Sequence, residues 1–225
     1  MDPPVAPAGG ATLMLWGWVV YARSTTIRAQ ASNIDAGIAH IRDEVMPALS
    51  AIDGFVGLSL LVDRGSGRCI ATSSWQSEEA MRASAGQVTP VRNRAAEIFG
   101  GGIEMAEWEI AVLHRAHAAP AGACTRVTWT DLQGADPDRV VDTFKMGALP
   151  RMEEFTGFCS ASLLVDRAGG LGCSAISYDN RAALEASRDP GSVIRESVIA
   201  QAGIRMMEMA EFELAVAHLR VPEMA

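Results

Sequence analysis

The feature that most constrains this chain is that it says nearly the same thing twice. Residues 54–64 read GFVGLSLLVDR and residues 157–167 read GFCSASLLVDR, with eight of eleven positions identical at an offset of 103. Residues 104–114 read EMAEWEIAVLH and residues 208–218 read EMAEFELAVAH, again with eight of eleven identical, now at an offset of 104. Between these blocks Ser74-Trp75 answers to Ser177-Tyr178, Ala83-Ser84 to Ala186-Ser187, and Pro47 to Pro150. One residue added to the second copy accounts for the change of offset. A repeat of this length is one structural unit used twice, and 225 residues give each copy about 100, enough for a core of its own.

The boundaries follow. Residues 1–11, rich in Pro, Gly and Ala, are expected as a loose N-terminal tail, with repeats over 12–115 and 124–220. The stretch 116–123 (AHAAPAGA) is a linker and 221–225 a short tail. Each copy shows the same order of patterns: a strand (18–29; 125–132), a helix (33–52; 137–154), two strands around a Gly-rich turn (55–63 with 69–75; 158–166 with 172–178), helical segments (77–99; 181–202) and a last strand (103–113; 207–217). Asn33 is expected to cap the first helix, and Asp136 the equivalent one ahead of Pro137. Pro47 and Pro150 fall late in these helices and are expected to kink or end them.

The order β-α-β-β-α-β is the ferredoxin-like split unit, with helices on one face of its sheet. Its other face needs cover. In residues 55–62 both Val56, Leu58, Leu60, Val62 and Phe55, Gly57, Ser59, Leu61 are poorly hydrated sets, as in a strand buried on both sides. The second copy is the natural cover. The fold class read here is therefore α+β: two ferredoxin-like units packed sheet to sheet, an internal pseudo-dimer closing into a barrel. Further association of such chains is left open.

Composition narrows the partners. With 27 acidic and 19 basic residues the formal charge is -8, so nucleic acid is not expected as a partner, nor an anionic membrane, since basic clusters are missing. The apolar run at residues 13–22 is too short to span a bilayer and lacks the basic residues of a signal peptide; it reads as a buried strand. Cys69, Cys124, Cys159 and Cys173 form no C-x-x-C pair and have no histidine at ligand spacing, so free, mostly buried thiols in the cytoplasm are expected, and no metal.

The segment ATSSWQSEEA at 71–80, with Gly54-Phe55 before it and Glu107-Trp108-Glu109 after it, resembles the antibiotic-biosynthesis-monooxygenase (ABM-like) family of the dimeric α/β-barrel superfamily. The second copy keeps Gly157-Phe158 and Glu211-Phe212-Glu213 but has Tyr178 in place of the tryptophan. The resemblance implies a barrel of two such units with a pocket between each sheet and its helices. It also implies a choice of activities, from cofactor-free quinone-forming oxygenation of a small aromatic to haem degradation or no reaction. The haem-degrading branch needs an axial histidine near the position of Asn93; neither second helix contains one, so no cofactor is expected. The pocket candidates are Trp75, Arg92, Asn93 and Trp108 in the first copy, and Tyr178, Arg195 and Phe212 in the second, for a small apolar or aromatic ligand; a non-catalytic binding or assembly module of the same fold is the alternative. The plainer reading of Trp75 and Trp108 is core packing, and that of Arg92 and Arg94 a wet surface. Period-2 spacing sets Glu107 and Glu109 opposite Trp108, Ile110 and Val112, on a solvated face or rim. His114 and His218 end equivalent strands at the surface, and His40 and His117 read as solvated.

Overall fold

The computed structural model describes residues 19–219. The expected tails at 1–11 and 221–225, and the apolar stretch as far as residue 18, lie outside them. Both copies form the expected unit. The first runs β1 (Val20–Arg28), α1 (Ile34–His40), α2 (Met46–Ser50), β2 (Phe55–Asp63), β3 (Arg68–Trp75), α3 (Glu78–Ala83), α4 (Ala85–Phe99) and β4 (Ile103–Arg115). The second runs β5 (Cys124–Asp131), α5 (Pro137–Thr143), α6 (Leu149–Glu153), β6 (Phe158–Asp166), β7 (Leu171–Tyr178), α7 (Arg181–Ala186), α8 (Arg188–Ala202) and β8 (Arg205–Leu219).

The two sheets do more than pack on each other. The strand order β1-β3-β2-β8-β5-β7-β6-β4 closes into one antiparallel barrel. The last strand of each unit is shared: β4 pairs with its own β1 over Ile103–Ile110 and then with β6 of the other unit over Glu109–Arg115. β8 likewise pairs with β5 and then with β2. Each unit thus repairs the open edge of the other, and the barrel has no free edge to template aggregation. Among the described residues no helix is long and apolar enough to cross a membrane.

Three bulges refine the alternation read from sequence. A register shift between Phe55 and Gly57 turns Val56 away from Leu58, Leu60 and Val62 and into the lumen cluster with Trp108. A shift between Ile110 and Val112 takes Val112 off the face it was expected to share with Trp108 and Ile110; it packs instead under the helices of the second unit. A bulge adds one residue to one strand against its partner. The residue added to the second copy is absorbed in the same way: β8 shifts between Trp129/Glu208 and Thr130/Met206, leaving Met207 unpaired and 55% exposed.

Asp136 caps its helix by accepting from the Asp138 amide at 3.1 Å. Asn33 does not; a 3-10 turn over Ala31–Asn33 leads into α1 instead. The prolines neither end nor sharply break the first helices. The turns Ile41–Val45 and Phe144–Ala148 widen to π-helix, so that the Met46 amide reaches back to the Ile41 carbonyl and the proline one residue later has no i−4 hydrogen bond to break. The long helical stretch of each unit divides at Ser84 and Ser187, both buried.

Candidate functional site

Each unit has a cavity where the resemblance implied one, between the barrel wall and the helices. That of the second unit has a volume of about 60 Å³ and is walled by Phe144, Met152, Phe155, Ile176, Tyr178 and Arg195 among others. The equivalent space in the first unit is about 40 Å³. The difference lies partly in one pair of residues. Val88 projects into the first cavity, and Gly191 stands at the same helical position in the second. A third space of about 130 Å³ occupies the barrel lumen, lined by hydroxyls such as Ser24, Thr72, Ser160 and Ser162 and by Trp108 and Trp129.

The seven candidate residues divide among these places. Arg92 lines the first cavity, and Tyr178 and Arg195 line the second. Trp75 is fully buried; its indole N–H donates to Ser73 Oγ at 3.0 Å and its ring meets Phe55 edge to face, which leaves it a core residue. Trp108 and Phe212 point into the lumen rather than toward the helices; Trp108 Nε1 donates to Ser24 Oγ at 2.9 Å, and Phe212 packs against Trp129. Asn93 is exposed on α4, outside all three spaces, because the helix turns it away from the sheet.

Arginine is the charged residue of both helix-side cavities, Arg92 in the first and Arg126 and Arg195 in the second. Arg195 is half-buried, and among the described residues it makes no hydrogen bond or ion pair. Burial lowers its pKa, and so does the nearby Arg126 guanidinium. Arg92 repeats the pattern in part: burial and Arg23 lower its pKa and its Nε is buried without a partner, though its Nη2 donates to Thr89 Oγ1 at 3.2 Å. Glu196 offsets part of this at Arg195, but among the described residues no carboxylate bonds either guanidinium, and a part-buried cation without a bonded acid favours an anion beside it. Tyr178 is pushed up mainly by burial, so its hydroxyl stays protonated at neutral pH.

Beside each cavity lies an ion pair with a buried arginine that the strand pattern did not reveal. Arg23 bonds Glu107 Oε1 at 2.9 Å and the Met81 carbonyl at 3.0 Å. Arg126 bonds Glu211 at 3.0 Å, Ser187 Oγ at 3.0 Å and the Leu184 carbonyl at 2.8 Å. Glu211 also receives Arg181 at 3.1 Å and Arg188 at 2.7 Å. Glu109 holds Arg167 through two bonds across the seam between units. These carboxylates are therefore committed to arginines rather than merely solvated. Under the repeat alignment Arg23/Arg126 and Glu107/Glu211 are matched pairs on neighbouring strands, and that was the available signal.

Of the remaining titratable groups His40 and His114 depart from their readings as solvated or surface residues, whereas His117 is exposed and the cysteines are free and mostly buried as expected. His40 is buried, 3.2 Å from Glu44. His117 bonds Asp179 at 2.7 Å. His114 is paired with Glu153 and stacked on Phe158. The four cysteines are free. Burial pushes the thiol of Cys69 up to about 11 and those of Cys159 and Cys173 to about 12, so none is a ready nucleophile at neutral pH.

No family model matches the chain. Over 221 residues it is 52% identical to the uncharacterised protein Rv2557 of Mycobacterium tuberculosis, covering 96% of this chain and 99% of that one. It is 50% identical over 223 residues to the uncharacterised protein Rv2558 of the same organism, covering 96% and 94%. Among solved structures, an anthrone oxidase-like protein superposes with a TM-score of 0.62 at 14% identity, covering 93% of this chain and 94% of that one. A Listeria monocytogenes ferredoxin-fold protein related to antibiotic biosynthesis monooxygenases gives 0.53 at 10% identity, covering 89% and 98%. Sequence likeness over nearly the full length, on this closed barrel, places the chain in the family of Rv2557 and Rv2558, with the fold of the ABM-like dimeric α/β barrels.

Proposed function

We propose that the second unit binds a small anionic aromatic, a phenolate, in the cavity between its sheet and α8, and that the protein is a cofactor-independent monooxygenase of such substrates. The observation that carries this is Arg195: a half-buried guanidinium without a protein partner at the end of an apolar cavity. Phe144, Phe155 and Tyr178 offer flat walls to a ring, and Arg195 offers charge to its oxygen. Among the described residues no carboxylate or histidine lines the cavity, so the phenol proton leaves to water and the positive field of Arg195 and Arg126 holds the anion. The electron-rich ring then reacts with oxygen: one oxygen atom becomes the second quinone carbonyl, and the other leaves as water with the two hydrogens lost from the phenol. The first unit, narrowed by Val88, is the lesser site.

The cavity of about 60 Å³ is smaller than the roughly 150 Å³ dry cavity that admits benzene, so the ring enters by moving a wall. Met152, unbranched and flexible, is the side chain best suited to yield. Titration calorimetry with 1-naphthol, ionised at high pH and neutral at lower pH, tests the assignment. The ionised form binds more tightly. Arg195→Met keeps the bulk, removes the charge and weakens naphtholate binding by at least about tenfold, the value of one charge-assisted hydrogen bond. Equal affinity of the variant for naphtholate contradicts the assignment. Oxygen uptake with quinone formation separates the enzyme from a binding module: naphtholate bound tightly but never oxidised favours the module.

Gly191 gives a second handle. A Cβ there meets Arg126 Nη1 at 3.5 Å and Phe155 at 3.9 Å, ordinary contacts. Gly191→Ala is expected to stabilise the protein by about 1 kcal/mol through helix propensity, read by urea denaturation. Gly191→Val reproduces the Val88 arrangement and is expected to abolish naphtholate binding in a folded protein.

A further inference from the structure

One cluster of chemical groups belongs to neither cavity. The chain leaves β4 at Arg115, and the amides of Ala116 and His117 both donate to the Cys159 carbonyl, at 2.9 and 3.4 Å. This pins the linker over the start of β6. His117 Nε2 then lies 2.7 Å from Asp179 Oδ1. The Cys159 thiol donates to the same oxygen at 3.2 Å. One nitrogen, one sulfur and one carboxylate oxygen thus lie within 4.8 Å of one another.

The donors match a borderline-soft divalent ion. Zinc takes thiolate at about 2.3 Å and imidazole or carboxylate at about 2.0–2.2 Å in a tetrahedron. Those bonds set the nitrogen–oxygen edge near 3.4 Å and the sulfur–oxygen edge near 3.6 Å, by tetrahedral geometry. The present hydrogen-bonded separations need to open by well under about 1 Å. His117 and Asp179 have room to do this, since their side chains are 46% and 34% exposed. Cys159 forms the buried floor. The opening faces solvent, where water completes the shell.

We propose that His117, Cys159 and Asp179 form a three-ligand Zn²⁺ site with water in the fourth position. Zn²⁺ displaces the thiol proton to solvent and replaces the hydrogen bonds that now join the three groups. It ties the linker, β6 and the β7–α7 junction together. The site is a property of one unit only: Val56 and Gln76 occupy the positions of Cys159 and Asp179 in the other. None of its three residues lines the aromatic cavity, so this inference stands or falls independently of that reading.

Co²⁺ titration of the full chain tests it, with Zn²⁺ competition against a chromophoric chelator. Wild type is expected to take one Zn²⁺ per chain and to show with Co²⁺ a thiolate charge-transfer band and intense tetrahedral visible bands. Cys159→Ser removes the charge-transfer band, and Cys173→Ser leaves it. His117→Ala, a change in the exposed linker that leaves folding intact, weakens Zn²⁺ binding by at least about tenfold, as loss of even an outer-shell partner does. Zn²⁺ raises the Tm of wild type but not of His117→Ala. No band in wild type, or unchanged band and affinity in His117→Ala, overturns the site.

Discussion

Glu211→Ala is expected to lower the unfolding free energy by about 3–5 kcal/mol, the range seen when one partner of a buried ion pair is removed. Three guanidiniums converge on this carboxylate. Arg126 is the one that cannot escape to water, being 5% exposed. The equivalent Glu107→Ala is expected to cost less, about 1–3 kcal/mol: Arg23 is as buried as Arg126, but Glu107 is its single acid and is 44% exposed, so water reaches the vacated position. Urea denaturation of both variants measures the contrast. It also has a pH signature. Burial raises the Glu211 pKa, but hydrogen bonds from Arg188 and Arg126 outweigh it and hold the carboxyl below its ordinary value. A depressed folded pKa means stability that is present above the unfolded value of about 4.3 and is lost as pH falls below it. The gap between wild type and Glu211→Ala is therefore wide at neutral pH and narrows in acid. A gap that persists unchanged into acid contradicts the ionic account.

Trp75→Ala is the other large effect, a loss of about 3–5 kcal/mol. The indole is wholly enclosed in the core under the first unit's helices, against Phe55, and its N–H is satisfied inside the protein. Removal leaves a void and takes one hydrogen bond from the buried Ser73 hydroxyl, which keeps its bond to the Arg23 carbonyl. Trp75→Phe keeps the ring contact, loses the hydrogen bond and is expected to cost about half as much or less. Under conditions where the alanine variant remains folded, its affinity for naphtholate is expected to match wild type, because the ligand cavity is in the other unit. A loss of binding greater than the fraction unfolded would put Trp75 in a site rather than a core.

These effects show what was readable from residues alone. The barrel follows from the repeat and from the two-sided hydrophobicity of residues 55–62, because both are local patterns with one global solution. The single inserted residue was also legible, though its consequence, a bulge at Met207, needs the partner strand to be seen. Val56 and Val112 were set on the wrong faces for the same reason: strict alternation has no term for a bulge. Trp75, Trp108 and Phe212 carry the family resemblance, yet two of the three face the lumen and one the core. Nothing within one segment marks Arg23 and Arg126 as internal; their pairing with Glu107 and Glu211 across the sheet does. The His117, Cys159 and Asp179 cluster joins a linker, a strand and a helix start. No spacing within one segment encodes it.

The most direct test of the central claim is a crystal structure of the protein grown with naphtholate. The account predicts ring density between the sheet and α8 of the second unit, with Met152 displaced and the naphtholate oxygen within hydrogen-bond distance of Arg195. A ring found in the barrel lumen, or in the cavity beside Val88, with Arg195 left unpartnered, would contradict it.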